Sequence, residues 1–355
     1  MSASGTVWCG FVSPRGRSAG LPGASLVALV ILLGFWPGPG MPGAEPDAPA
    51  AVLPLGLAGT PGAVADEDGD PPDGFQIGVV GDWGYQPDQR RRLPRLVDAM
   101  NGAGLAFSVH DGDIGVPPRS CTRESDLANR SLFDRFRHPL VYTPGDNEWT
   151  DCWRSGADPV QRLAALRRVF FSDGDSRGQA RMPLAHQSAD YPENVRWSKE
   201  GVTFAAIHVV GSNNGLPDRE RPGNRHEWAA RTAAAITWMR QTFAVARKAG
   251  SPAVGLFIHA DPLFDRPHGQ RWGYDEFLRA MESEVVGFAR PVLLVHGDRH
   301  EYRLDKPFVT YRQPRRRLEN LTRVESFGPK DLAWVRITVN PTRPGVFRIQ
   351  PERVL

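Results

Sequence analysis

Of 355 residues only three are cysteines, so neither a disulfide-dense scaffold nor a thiolate metal cluster can organise this chain. Lysine is scarce too: of 43 basic residues only Lys199, Lys248, Lys306 and Lys330 are lysines, which a coding bias toward arginine explains without any need for phosphate binding. No run of five like charges occurs, and a formal net charge of +3 is small for this length, which argues against nucleic acid as a stable partner. No apolar run reaches the roughly 20 residues of an ordinary membrane helix. The longest, Ser25–Trp36, has 12. What remains is ordinary soluble composition, 41% hydrophobic and 23% charged, enough for one large domain or two small ones.

The amino terminus differs from the rest. Arg15 and Arg17 precede the apolar run with no acidic residue among them, and a Pro-Gly-Pro-Gly stretch ends it. Residues 1–36 therefore read as an export signal, with an uncleaved membrane anchor as the alternative. Residues 37–73, rich in Ala, Gly and Pro, read as a linker, and the folded domain is expected over 74–355. Export implies a secreted, periplasmic or cell-surface protein. Cys9 lies in the basic flank, which leaves Cys121 and Cys152, able to pair in an oxidising compartment or to stay free in a reducing one.

Hydrophobic periodicity over the remainder alternates strand and helix. Strands are expected at Phe75–Val80, Leu105–His110, Leu140–Tyr142, Val202–Val210, Ala253–Ile258 and Pro291–Val295. Helices are expected at Asp88–Asn101, Ser125–Arg137, Pro159–Phe171, Arg225–Ala249 and Tyr274–Phe288. This order implies parallel pairing with helical crossovers. Phe308–Tyr311, Trp334–Val339 and Gly345–Ile349 read as strands without helices between them, which suggests a second, mostly antiparallel sheet.

Five short blocks carry the chemistry: Gly81-Asp82-Trp83-Gly84, Asp111-Gly112-Asp113, Gly145-Asp146-Asn147-Glu148, Phe257-Ile258-His259 and Gly297-Asp298-Arg299-His300. One Gly-Asp pair is turn chemistry, and one strand-end histidine is more often structural than ligating. Here, however, Asp82, Asp113 and Asp146 follow one another at separations of 31 and 33 residues, each the length of a β-α-β unit. Adjacent parallel strands would set these carboxylates side by side, as two cations a few ångströms apart require.

The order of the blocks resembles the calcineurin-like metallophosphoesterases, whose pattern runs GDxH or GDxG, GD, GNH followed by Glu or Asp, a lone His, and GHxH. The resemblance covers about residues 75–302. It implies a four-layer α/β/β/α sandwich with two mixed β-sheets and a phosphoester hydrolase whose two divalent metal ions activate a bridging hydroxide. By position, the first metal would take Asp82, Asp113 and His300, and the second Asp113, Asp146, His259 and Asp298. The substrate would be a phosphorylated small molecule or a phosphodiester. A membrane is a partner only if the amino terminus is an anchor, and nothing fixes the oligomeric state.

Three departures matter. Asp146 and Asp298 stand where the family has a neutral Asn and His, adding two negative charges and favouring the harder Mn, Fe or Mg over Zn. The GDxH histidine is absent, as in purple acid phosphatases, but their tyrosine ligand is absent from Ile114–Pro118; Tyr85 is near enough to replace it from another direction. Asn147 occupies the position of the GNH histidine, and an amide cannot transfer a proton at neutral pH. His208 is the first candidate to stand in, then His296, His226 and Arg299. A degenerate, non-hydrolytic binder of metal or ligand is the alternative reading.

Overall fold

The computed structural model describes residues 74–354, so the signal or anchor and the linker expected over 1–73 lie outside the described residues. β1 (Phe75–Val80), β2 (Phe107–His110) and β3 (Leu140–Tyr142) pair in parallel, separated by α1 (Pro87–Asn101) and α2 (Arg123–Phe133). α3 (Pro159–Phe170) leads to two antiparallel strands, β4 (Ala185–His186) at the sheet edge and β5 (Val195–Lys199) beside it. β6 (Val202–Ala206), the single turn α4 (Gly211–Asn214), α5 (Arg225–Lys248), β7 (Val254–Phe257), α6 (Asp275–Phe288) and β8 (Val292–His296) then repeat the crossover pattern. β9 (Arg303–Asp305), β10 (Leu321–Glu325), β11 (Ala333–Val339) and β12 (Phe347–Arg353) finish the chain. The strands form a five-stranded sheet, β12-β11-β1-β2-β3, and a seven-stranded sheet, β4-β5-β6-β7-β8-β10-β9.

Three hydrophobic clusters define four layers. α1 buries Leu93, Leu96, Val97 and Met100, one helical face, and packs with α2 and α3 residues on the outside of the five-stranded sheet. Ile77, Val79 and Val109 from that sheet meet Phe204, Phe257 and Val295 from the other in a shared interior. Trp238, Met239, Phe277 and Met281 of α5 and α6 cover the outer face of the seven-stranded sheet through Ala205, Leu256 and Leu294. This is the α/β/β/α sandwich with two mixed sheets that the motif order implies.

The carboxy-terminal strands depart from expectation. They make no sheet of their own: β11 pairs antiparallel with β1, whereas β10 pairs parallel with β8. Phe308–Tyr311 is only a bridge, Val309 to Arg317. β9 and β10 were hidden by their charges, because Arg323 lies buried in β10 and forks onto Asp305 of β9 with two bonds of 2.6 Å.

Candidate metal centre

Register brings the blocks together. Val80, His110 and Tyr142 are cross-strand partners at the ends of β1, β2 and β3, so the loops carrying Asp82, Asp113 and Asp146 leave one edge of one sheet. His259 and Asp298 each lie two residues past β7 and β8, neighbours in the other sheet. The Asp298 amide donates to Asp82 Oδ2 at 3.0 Å and ties the two sheets at the site. Glycine is needed beside the ligands for space: a Cβ on Gly145 would meet the Asp113 side chain and amide, and one on Gly112 would lie 2.8 Å from the Gly145 nitrogen and strike the His259 ring. Asp82, Asp113, Asp298 and His300 all adopt left-handed φ, between +46° and +80°. Each costs about 1–3 kcal/mol, and such strain gathers where side chains must be aimed.

Two donor groups result, each with its ligand atoms within 4.8 Å of one another: Asp82, Asp113 and His300, and Asp113, Asp146 and His259. Asp113 belongs to both. His300 Nε2 lies 3.3 Å from Asp82 Oδ1, and His259 Nε2 lies 3.2 Å from Asp146 Oδ1 and 3.4 Å from Asp113 Oδ1. Asp298 stands further back, its Oδ1 3.9 Å from His259 Nε2, and its Oδ2 accepts from the Asp261 amide at 3.2 Å. His259 Nδ1 lies 2.9 Å from the Asp111 carbonyl, which fixes the ring with Nε2 toward the carboxylates, as in a metal-ligating histidine.

The electrostatics fit cations. Burial pushes the carboxyl of Asp113 well above its usual range, with Asp146, Glu148 and Asp82 adding to it. Burial raises Asp298 likewise, with Asp146 next. Burial alone would lower His259, but Asp113, the bond to Asp146, Asp82 and Asp298 together hold it well above the ordinary histidine value. Next to this cluster both Asp111 oxygens are buried, and among the described residues neither has a hydrogen-bond partner. A buried group of acids around one imidazole needs positive charge, and two divalent cations balance the four candidate carboxylates.

Tyr85 is the residue that sequence pattern undervalued. Its hydroxyl bonds Asp113 Oδ2 at close range and lies 3.2 Å from Asp82 Oδ1 and 3.3 Å from His300 Nε2. These are separations between donors of one cation. The signal was its place three residues after Asp82. Asn147 also faces the cluster: Nδ2 donates to Asp113 Oδ2 at 2.5 Å and to Tyr85 at 2.8 Å, and its backbone amide donates to Asp113 Oδ1 at 3.1 Å.

The substitutes for the missing imidazole do not reach the site. His208 is fully buried, with Nδ1 2.8 Å from Glu193 Oε1 and its ring against Trp149, and it makes no contact with the cluster of acids. Arg299 turns outward to Asp261 at 2.9 Å and Asp265 at 3.2 Å. His296 is buried with Nδ1 2.9 Å from the Gly297 carbonyl, and His226 is exposed at the start of α5.

Cys121 and Cys152 are joined, with Cα atoms 5.6 Å apart, and the Asn147 carbonyl lies against both sulfurs and accepts from Ser120 Oγ at 2.6 Å. The site opens into a cleft of about 670 Å³ lined by Tyr85, Val116, Pro117, Pro118, Asn147, Arg154, Ser155, Asp298 and His300.

Sheet order, strand-end placement of the five blocks and the shared carboxylate together describe an α/β/β/α sandwich with its acids gathered at one end of the strands. No protein-family model and no curated protein matches the chain. Among solved structures it is similar to a dimetal phosphatase from Danio rerio, at 12% identity over 79% of this chain and 96% of that one, with a TM-score of 0.48. It is also similar to purple acid phosphatase PPD1 from yellow lupin (Lupinus luteus) seeds, at 13% identity over 75% of this chain and 49% of that one, with a TM-score of 0.43. Vps29 from Cryptosporidium parvum is similar at 10% identity over 79% and 98%, with a TM-score of 0.28. Likeness at this level says nothing about chemistry, which rests on the geometry of the site.

Proposed function

We propose that this chain is an exported, metal-dependent phosphoester hydrolase. The observation that carries the reading is the pair of donor groups sharing Asp113. Asp82, Asp113, His300 and Tyr85 would hold one divalent cation, and Asp113, Asp146 and His259, with Asp298 closing in, the other. Such cations supply Lewis-acid polarisation of a phosphoryl oxygen and an acidified water to attack phosphorus. The oxygen-rich set suits Mn, Fe or Mg better than Zn.

The chain's own residues do the rest. His259 is held by the Asp111 carbonyl with Nε2 inward. Asn147 lines the cleft and grips Asp113 through its backbone and side chain, with its second side-chain N–H given to Tyr85, so it orients the shared carboxylate. It cannot protonate a leaving group. General acid assistance typically contributes about 10²–10⁴ in rate, so turnover should depend steeply on leaving-group quality, with aryl esters and anhydrides far ahead of alkyl esters.

The test compares hydrolysis of an aryl phosphate, its diester and an alkyl phosphate by the Mn-loaded wild type and by Asp113→Ala. Aryl hydrolysis lost in the variant, with the alkyl ester far slower, supports the reading. Metal binding without hydrolysis above the variant would favour a non-hydrolytic binder, the reading that Asn147 in place of an imidazole also permits.

A further inference from the structure

Arg154 lies in the 3₁₀ turn Thr150–Ser155, two residues after Cys152, and lines the same cleft as Asn147, Asp298 and His300. Among the described residues it is the only arginine or lysine to do so. Its side chain is half exposed, at 50%. Nη1 donates to Asp151 Oδ2, and the guanidinium carbon sits 5.6 Å from the centroid of the Trp153 ring. Asp151 is itself buried and fixed by the Ser212 hydroxyl at 2.8 Å. Among the described residues the guanidinium has no other hydrogen-bond partner, which leaves the side-on edge of Nε and Nη2 free. A guanidinium held on one edge and one face has little freedom left to lose when the other edge takes an anion in bidentate fashion.

Arg154 pairs with Asp151 and with none of the candidate metal ligands, so it is set to meet a group beyond the reacting phosphoryl. The cleft, at about 670 Å³, is much larger than a phosphate, and Val116, Pro117 and Pro118 give it an apolar segment. We infer that Arg154 anchors a leaving-group subsite selecting phosphoesters whose alcohol part carries a second anionic group, a carboxylate or a further phosphate, on a compact apolar body. The inference rests on the phosphoester reading of the metal centre. It involves binding only, so it can be tested without turnover.

Calorimetric titration of the Mn-loaded full chain with phenylphosphonate and with 3-carboxyphenylphosphonate, neither of which is hydrolysed, measures what the second anion contributes. The added carboxylate should tighten binding about tenfold in the wild type. That gain should vanish in Arg154→Gln and return in part in Arg154→Lys, while phenylphosphonate affinity, the internal control for folding, stays within about twofold. Equal affinities for the two phosphonates in the wild type, or a gain that survives in Arg154→Gln, overturns the inference. Absence of aryl phosphate hydrolysis would instead defeat the hydrolase reading and leave this difference in affinity to be judged by itself.

Discussion

Asn147 sits where the motif pattern leads one to expect an imidazole, and the structure uses it as a bracket on Asp113. Tyr85 supplies a hydroxyl among Asp82, Asp113 and His300. Replacing Tyr85 with Phe should therefore weaken cation binding about 10–100-fold, the usual cost of losing a ligand's support, as read by metal titration. If its oxygen binds the cation directly, the Fe(III)-loaded wild type will absorb visible light through phenolate-to-iron charge transfer and Tyr85→Phe will not. The gathering of Asp82, Asp113, Asp146, His259 and His300 in space was legible because their blocks follow strands at the right spacing. His208 was misread at the same scale: it lies two residues past β6 as His259 lies two past β7, yet its ring turns to Glu193, a choice that strand alternation does not decide.

Among the elements, strands and helices with clear periodicity fell within a few residues of expectation, β1 and β3 at their full bounds and α1 one residue longer. Sheet membership was not legible. Which partner β11 chooses is set by contacts across more than 200 residues of sequence, as between Gln76 and Thr338, and local pattern carries none of that. Two element-scale outcomes follow from the loops after β3. Gly145→Ala should abolish cation binding, because a methyl there displaces Asp113, and calorimetry with Mn checks it. Reducing the bond between Cys121 and Cys152, 31 residues apart, should cost about 4 kcal/mol of stability by the loop-entropy estimate. Melting with and without reductant measures that, and an unchanged transition would contradict it. Reduction should also weaken substrate binding, because the disulfide ties down the segment bearing Asn147 and Arg154.

On the scale of the whole molecule, the sandwich assembles a buried acidic centre that two sheets must hold against repulsion. Burial pushes Asp111 up to about 7, Asp82 adding to the effect, and burial pushes Glu325 up to about 7 as well. In the unfolded chain both ionise near pH 4. Their protonated, folded forms are thus fully favoured only at acidic pH, and the stability they contribute is lost as pH rises from about 4 to 7. His259, raised well above its ordinary value, acts in the same direction: its contribution is complete below about pH 6.5 and is lost as pH rises through the folded value. Glu193, lowered to about 2 despite burial by His208 and Arg167, opposes this only below about pH 4.5. His110, His138, His208 and His296, all lowered by burial, oppose it below about pH 6.5 and are neutral above it. Metal-free protein should therefore melt at lower temperature at pH 8 than at pH 6.5, and divalent cations should raise the transition more at pH 8. A metal-free transition that rises with pH across that window would contradict the account. The central claim, two cation sites built on one shared carboxylate, is tested most directly by metal stoichiometry of purified wild type and Asp113→Ala after loading with Mn. The account predicts two equivalents per chain in the wild type and almost none in the variant, whereas a variant that keeps both, or a wild type that binds none, would contradict it.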